Sequence, residues 1–299
     1  MEEKFGGYIV LQEFGKGGGG IVWLAENEKD KGKKIKEKTM YVLKTLKKDF
    51  DETEGKCLNK EIKILNKLPD KNFLPKIYDY REFNENDINK NYKEKPYYVM
   101  DFYSNSILFF YVRTKLLSES KHCKLLFKKI IEGFKYLHDE KHISHLDIKV
   151  ENILFDKYFE PVIIDFGSAE EFTDPDKEID FETKLITRKY ACPKILERKK
   201  YIPVKADVFS LGVLLFNLVT GGFGFLNKKK EKKEEEIFGP FDYLYTFIKK
   251  NNIKGFWDAL RQLNDAIEDE EKKINLDISE EFKKLYYIFK FKIFKKRQK

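Results

Sequence analysis

Short apolar runs separated by polar residues fill the first hundred positions of the chain, and this pattern predicts β-strands. The predicted strands are Tyr8–Phe14, Ile21–Glu26, Thr39–Leu46, Ile77–Phe83 and Pro96–Phe102. Apolar residues between Cys57 and Leu68 recur at helical spacing instead, and Pro69 follows them. Because proline interrupts a helix, we expect one helix that ends at this point.

Helical patterns dominate from about residue 104 onward. Leu116–His138 is amphipathic, whereas Val204–Val219 is more apolar and is predicted to be a buried helix. Strands first and helices later predict an α+β fold with two lobes in a single domain, residues 1–299. We expect a small β-rich N-terminal lobe over about residues 1–102 and a larger helical C-terminal lobe over about residues 103–299.

Composition and charge narrow the class of protein. The 299 residues include 59 basic and 51 acidic side chains, mixed along the chain. The sequence has no basic block interleaved with aromatic residues, which is the pattern that would indicate nucleic-acid binding. The longest apolar stretch, Leu211–Val219, is too short to span a bilayer, so we expect no membrane segment. Three cysteines without paired spacing exclude a disulfide scaffold and a zinc ribbon. We therefore expect an intracellular protein of the cytoplasm.

A glycine cluster lies between the first two predicted strands. Gly15, Gly17, Gly20 and Val22 form the pattern G-x-G-x-x-G-x-V, in which backbone N–H groups can approach phosphate oxygens closely. The chain continues as a strand after Val22, whereas a dinucleotide-binding turn would lead into a helix. This context favours a hairpin that covers phosphates, with a plain hairpin turn as the alternative.

Two opposite charges stand on elements that follow one another. Lys44 ends an apolar strand, where an inward-pointing charge needs a partner, and Glu61 lies on the following helix. One interpretation is an ion pair that holds the ammonium against two phosphates. The alternative is a pair of surface charges, and these two residues alone do not decide between them.

Four polar side chains flank a predicted hairpin in the middle of the chain. Asp147, Lys149 and Asn152 precede it and Asp165 follows it, so we expect all four in one cleft. The oxygens of Asn152 and Asp165 suit Mg²⁺, which usually binds one or two carboxylates together with substrate phosphates. Asp147 could accept the proton of an attacking hydroxyl, and Lys149 could offset the charge of a transferring phosphate. The alternative, a set of turn residues, does not account for four such groups at this spacing.

The order and spacing of these motifs resemble those of the eukaryotic protein kinases, and of their serine/threonine branch in particular. The resemblance covers nearly the whole chain and implies the two-lobed protein kinase-like fold. It further implies an enzyme that binds ATP and Mg²⁺ and transfers the γ-phosphate to serine or threonine hydroxyl groups of protein substrates.

The resemblance also implies a role for each motif residue. Catalytic roles fall on Asp147, Lys149, Lys44 and Glu61. The metal ligands would be Asn152 and Asp165. The nucleotide-binding positions, with Met100 as gatekeeper and a hinge that begins at Asp101, would be Gly15, Gly17, Gly20, Val22, Val42, Lys44, Met100, Asp101, Tyr103 and Leu154.

Two threonines are regulatory candidates by the same resemblance. Thr187 lies before Tyr190 and, together with Lys149, indicates the serine/threonine branch, in which this threonine bonds near the catalytic aspartate and lysine. Thr183 occupies the usual place of an activation-loop phosphorylation site. An ordinary exposed threonine is the alternative for Thr183.

The sequence departs from the family pattern at several positions. Leu146 replaces the arginine that binds a phosphorylated loop residue, so we expect activity that depends less on such a phosphate. Lys194 replaces a glutamate whose usual partner resembles Arg297, so we expect both groups to find solvent or other partners. The chain ends two residues past Arg297, where the family usually continues into one more helix. We therefore expect the larger, C-terminal lobe to be incompletely covered. Gly19 replaces an aromatic residue, which predicts weaker nucleotide binding.

These residues suit three functions to different degrees. An active serine/threonine kinase accounts for every motif, whereas Leu146, Lys194 and the short C-terminus would suit a catalytically weak pseudokinase that serves as a binding scaffold. A small-molecule kinase is disfavoured by the stretch TRKYACP, which resembles a peptide-docking segment. Ile107 and Asn217 stand where many basic-directed kinases carry acids, so we expect no strong preference for basic substrates. The oligomeric state stays open.

Overall fold

The computed structural model describes residues 3–17, 19–89, 95–104, 108–113, 121–181, 187–221, 250, 252–265 and 279–287. These residues divide into two compact units. As far as it is described, the first contains residues 3–104 and 154–169. The second contains residues 108–153, 170–181 and 187–287, with the gaps named above.

An antiparallel sheet of six strands forms most of the first unit, in the order β1-β2-β3-β4-β6-β5. The strands are β1 (Lys4–Phe5), β2 (Tyr8–Gly17), β3 (Gly20–Asn27), β4 (Met40–Thr45), β5 (Ile77–Arg81) and β6 (Tyr97–Asp101). One face of the sheet is packed in an apolar core made of Phe5, Tyr8, Ala25, Leu43, Tyr97 and Val99. Because neighbouring side chains along a strand point to opposite faces, Lys44 and Tyr98 lie on the face opposite to Leu43 and Val99.

The glycine cluster forms the turn of a hairpin, as the sequence predicted. Strands β2 and β3 pair down to Gly17 and Gly20. Gly20 has a φ of +117°, and a β-carbon at this position would lie 2.3 Å from the carbonyl oxygen of Thr45 on β4. The close approach of the two backbones therefore requires glycine here.

One helix, α1 (Glu52–Lys67), follows the strand that carries Lys44. Asp51 and Glu54 form a capping box, in which each side chain accepts a hydrogen bond from the backbone N–H of the other, at 2.8 and 3.0 Å. The buried side of the helix includes Leu58, Glu61, Ile62 and Leu65. The helix begins before the apolar pattern that predicted it, because its capped first turn is polar.

Two smaller sheets each contain two strands. β8 (Ile153–Phe155) pairs with β9 (Pro161–Ile163), which confirms the hairpin predicted between the motifs of the middle region. In the second unit, β7 (Ile143–Ser144) pairs with β10 (Glu170–Glu171).

The described part of the second unit also contains six α-helices. They are α2 (Leu108–Arg113), α3 (Lys121–Asp139), α4 (Pro193–Leu196), α5 (Pro203–Thr220), α6 (Ile253–Asp265) and α7 (Glu280–Tyr287). Among the described residues, α5 alone is long and apolar enough to cross a membrane by length and composition, and 83% of it is buried in the fold. Burial on all sides is typical of a central core helix, as its apolar sequence predicted. The predicted α+β fold is confirmed.

Replacement of Gly20 by alanine should lower the free energy of unfolding by about 2 kcal/mol, because the left-handed φ and the contact with Thr45 both oppose a β-carbon. Urea unfolding of the two proteins measures this difference. Gly7→Ala is the matched control, since a β-carbon at Gly7 would have nothing within 4 Å. Equal losses for both variants would contradict the assigned role of Gly20.

Candidate active site

The ammonium group of Lys44 is the centre of a buried charge cluster in the first unit. Its Nζ donates hydrogen bonds to Oε1 and Oε2 of Glu61 at 2.9 and 2.8 Å, and to Oδ1 of Asp165 at 3.2 Å. Lys44 and Glu61 are only 8% and 2% exposed. The structure therefore favours the buried ion pair over the two surface charges that the sequence left as an alternative.

The carboxylates determine the protonation state of this lysine. Burial alone would lower the pKa of Lys44, but Asp165 and Glu61 outweigh it and hold the pKa well above its ordinary value. Burial raises the pKa of Glu61, and the ammonium of Lys44 acts in the opposite direction. Lys44 is consequently a permanent positive charge, which is what an anionic phosphate requires.

Tyr98 belongs to the same cluster, and the sequence analysis did not identify it. Its hydroxyl donates to Oε1 of Glu61 at 2.9 Å, and the ammonium of Lys44 lies 5.8 Å from the centroid of its ring. Burial, and then the charge of Glu61, raise the pKa of Tyr98 well above its usual value, so the hydroxyl remains a donor. The pairing of β4 with β6 is the signal that would have identified Tyr98, because Tyr98 on β6 lies directly opposite Lys44 on β4.

Asp165 enters the cluster from a short turn after β9. It precedes the 3-10 turn Phe166–Ser168 and has a φ of +64°, a left-handed conformation that aspartate tolerates better than most residues. Phe166 is buried at 1% exposure, whereas the side chain of Asp165 is 40% exposed. Because Phe166 is buried beside it, the carboxylate of Asp165 is held where it pairs with Lys44 and stays accessible to a ligand.

The hairpin turn provides the rest of the surroundings of Lys44. A β-carbon on Gly19 would lie 3.6 Å from both Cε and Nζ of Lys44, so the bare backbone of the turn passes close to the ammonium. β-carbons on Gly15 and Gly17 would have nothing within 4 Å. The open backbone, the fixed ammonium and the accessible carboxylate fit a nucleotide phosphate with a divalent cation.

The remaining nucleotide positions of the first unit lie on its strands and on the segment after β6. Val42 on β4 is directly opposite Met100 on β6, and Val22 and Leu154 lie on β3 and β8. Asp101 ends β6, and its carboxylate accepts hydrogen bonds from the hydroxyls of Tyr103 and Tyr78 at 3.2 and 2.7 Å. The predicted hinge is therefore tied to β5.

A second polar cluster, in the second unit, surrounds Asp147. Its Oδ2 lies 2.5 Å from Nζ of Lys149, which also donates to Oγ1 of Thr187 at 3.1 Å. The backbone N–H of Thr187 donates to Oδ1 of Asp147 at 3.3 Å. The amide of Asn152 donates to the backbone oxygen and to Oδ2 of Asp147 at 2.9 and 3.1 Å. The structure brings these four predicted residues together around one carboxylate, while Asp165 belongs to the other unit.

A buried aspartate on α5 supports the loop that carries Asp147. Asp207 is 0% exposed and accepts the backbone N–H groups of His145 and Leu146 at 2.7 and 2.8 Å. Its Oδ2 also lies 2.8 Å from Nε2 of His138. These bonds stabilise Leu146 at a φ of +62°, which is unusual for leucine, and so they determine how the loop approaches Asp147.

Two of the described departures from the family pattern, Leu146 and Lys194, have a local explanation. Leu146 is buried in an apolar cluster with Tyr190 and Phe209, against which Ile179 and Phe181 pack. Lys194 pairs with Glu178 at 2.5 Å, so the prediction that it would find another partner is confirmed. The predictions for Ile107, Thr183 and Arg297 lie outside the described residues.

Comparison with known proteins identifies one family. A family model described as a protein kinase domain matches residues 8–289. Serine/threonine-protein kinase KIN4 of Saccharomyces cerevisiae is 33% identical over 80% of this chain. Serine/threonine-protein kinase SIK1 of Mus musculus is 29% identical over 74% of it, and the probable serine/threonine-protein kinase MARK-A of Dictyostelium discoideum is 29% identical over 72%. The matches span 29%, 26% and 19% of those relatives, so the chain corresponds to less than a third of each.

Replacement of Tyr98 by phenylalanine should reduce the free energy of unfolding by about 1–2 kcal/mol, because buried Glu61 loses one of its hydrogen-bond donors. Chemical denaturation measures the change. Tyr80→Phe is the control, since Tyr80 is 45% exposed. If Tyr98→Phe is as stable as the wild type, its hydroxyl contributes nothing to the cluster.

Proposed function

Since the chain belongs to the protein kinase family, we propose that it transfers the γ-phosphate of ATP to serine and threonine hydroxyl groups of protein substrates. Protein kinases use ATP and a divalent cation. The relatives described above carry serine/threonine-protein kinase in their names, which supports the choice of acceptor. One catalytic domain over residues 1–299 is part of the proposal and is supported by the family match over residues 8–289.

The observation that carries this proposal is the set of contacts around Asp147. A carboxylate held on both oxygens by neighbours is oriented before substrate binds, and such a group can accept the proton of an incoming hydroxyl. Lys149 is already within hydrogen-bond distance and can offset the charge that develops on the transferring phosphate. Thr187 links this pair to the segment that follows, as the serine/threonine branch implies.

The first unit would hold the nucleotide. Lys44, fixed by Glu61, would neutralise phosphate charge, and the backbone of the glycine turn would approach the same phosphates. Met100, Asp101 and Tyr103 are proposed to meet the adenine together with the apolar side chains of Val22, Val42 and Leu154. The glycines proposed to approach the phosphates are Gly15, Gly17 and Gly20.

We propose Mg²⁺ as the divalent cation, with Asn152 and Asp165 as its protein ligands. Mg²⁺ prefers oxygen ligands and usually combines one or two carboxylates with substrate phosphates. The accessible carboxylate of Asp165 supports this choice. When bound, the cation would neutralise the charge of the phosphates and orient them.

The departures that suggested a scaffold, Leu146 and Lys194, have side chains that pack or pair with groups other than those assigned to catalysis. Leu146 lies in an apolar cluster and Lys194 in an ion pair whose two side chains are each 44% exposed. The residues that suggested a scaffold therefore give no specific support to it. A cytoplasmic location is also proposed, supported by three free cysteines. We further propose that the enzyme has no strong preference for basic substrates, and the neutral, buried Asn217 supports this.

Asp147→Asn should reduce phosphate transfer by roughly a hundredfold to ten-thousandfold, because the amide cannot accept the hydroxyl proton. Transfer is measured with radiolabelled ATP and a generic protein acceptor, and nucleotide binding with a thermal-shift titration of Mg-ATP, which should be unchanged. Asp70→Asn is the control, since the Asp70 side chain is 75% exposed. Wild-type transfer by Asp147→Asn would refute the assignment, and a wild-type protein that binds Mg-ATP without transfer would favour the scaffold.

Asp165→Asn should raise the Mg²⁺ concentration needed for half-maximal transfer, because a neutral amide is a poorer ligand for a hard cation. A chelator should stop transfer by the wild-type protein, and added Mg²⁺ should restore it. The titration is repeated with Asp70→Asn, which should match the wild type. Transfer that persists in the chelator, or an unchanged Mg²⁺ requirement for Asp165→Asn, would contradict the metal assignment.

A further inference from the structure

The segment that follows β5 packs against the first half of α1. Phe83 in this segment is 8% exposed, and its ring contacts Phe50 edge to face, with centroids 5.8 Å apart. A β-carbon on Gly55 of α1 would lie 2.5 Å from Cγ of Phe83. The ring of Phe83 therefore occupies the space that a side chain at position 55 would need.

One helix side chain also holds the backbone of Phe83. Oδ1 of Asn59 accepts the backbone N–H of Phe83 at 2.6 Å, and Nδ2 of Asn59 donates to its carbonyl oxygen at 2.9 Å. Both backbone polar groups of Phe83 are thus paired with α1, one turn beyond Gly55. The helix cannot shift relative to the segment without the loss of both bonds.

The segment itself is rigid enough to support a helix. The guanidinium of Arg81 donates two hydrogen bonds to Asp87, at 3.0 and 2.7 Å. The backbone N–H of Asn84 donates to Oδ2 of Asp87 at 2.8 Å, and Asp87 is 1% exposed. A bidentate, charge-assisted pair in buried surroundings holds the turn in one conformation.

Glu61 stands on the same helix, two residues beyond Asn59. Residues at i and i+2 point to different sides of a helix, so α1 is held by the segment on one side and by Lys44 on another. Because a helix moves as a rigid body, the contacts at Gly55 and Asn59 determine where the carboxylate of Glu61 stands.

We propose that residues 81–87, which we call the α1 brace, hold α1 in the orientation in which Glu61 pairs with Lys44. Asn59 and Phe83 are then positioning residues for phosphate transfer, since they act through Glu61 and Lys44. The proposal extends the proposed function, on which its catalytic part rests. Its structural part concerns Lys44 alone and can be measured without catalysis.

The test compares Asn59→Ala and Phe83→Ala with Asn66→Ala, an exposed asparagine on the same helix that receives the same substitution. Two measurements are made on each folded protein: kcat and KM for ATP, and the dissociation constant for Mg-ATP by titration calorimetry. Glu61→Gln shows how far Mg-ATP binding weakens when the carboxylate is lost. Asn59→Ala keeps the test valid if Phe83→Ala does not fold, because alanine is favourable in a helix.

We expect the kcat of Asn59→Ala and Phe83→Ala to fall about tenfold or more, as a small misplacement of a phosphate-binding group would cause. The dissociation constant for Mg-ATP should rise toward that of Glu61→Gln. The reason is that the ammonium of Lys44 is held in place by Glu61 and loses that support when the carboxylate is displaced. Asn66→Ala should match the wild type in both measurements.

Gly55→Ala gives an independent check. Alanine normally stabilises a helix relative to glycine, but here its β-carbon would collide with Phe83, so kcat should fall and Mg-ATP binding should weaken. In the Phe83→Ala background the same substitution should have no further effect, because the two changes remove one contact.

Each outcome decides the matter. Folded Asn59→Ala and Phe83→Ala proteins with wild-type kcat and wild-type Mg-ATP binding would overturn the proposal, and so would lower stability with unchanged Mg-ATP binding, which indicates a purely structural contact. Additive effects of Gly55→Ala and Phe83→Ala would overturn the direct contact. Weaker Mg-ATP binding by these variants of a protein whose wild type transfers no phosphate would support the brace and reject the proposed function, and a wild type that binds no Mg-ATP would overturn both.

Discussion

The buried ammonium of Lys44 is the charge on which the organisation of the first unit depends. Buried without partners it would be strongly destabilising, and the loss of one member of such a pair typically costs about 3–5 kcal/mol. Two carboxylates face it, and Tyr98 satisfies a further lone pair of Glu61. The positions of α1, of β6 and of the turn after β9 are thus coupled through one cation. The same coupling leaves a fixed positive charge beside the backbone of the glycine turn, where a phosphate can use it.

The second unit uses a buried anion in a corresponding way. Asp207 on α5 binds two consecutive backbone N–H groups of the loop that precedes Asp147, and His138 contacts it from α3. A loop that is held to the core helix at its backbone can present side chains in a fixed orientation. Asp207 thereby supports the loop in which Asp147 and Lys149 contact each other, although α5 itself carries neither of them.

The substitutions at Leu146 and Lys194 change how the segment after β10 is held. An arginine at 146 would depend on a phosphate for its partner, whereas Leu146 is part of a core cluster that Ile179 and Phe181 join directly. Lys194 is paired with Glu178 from the same segment. Activity that depends less on a loop phosphate stays a prediction, and these contacts support it, because apolar packing requires no modification to form.

The sequence by itself determined the elements and the residue types of the site. Apolar periodicity, the glycine turn and the motif around Asp147 are local signals, and each strand or helix forms from residues close together in the chain. The tertiary structure alone decided that Lys44 and Glu61 are a buried pair, that Tyr98 joins them, and that Phe83 fills the space over Gly55. These contacts join residues 17, 37 and 28 positions apart, and they depend on strand register and on helix orientation. Burial cannot be read from a polar residue type, because only the packing of distant elements removes the water that surrounds a charge.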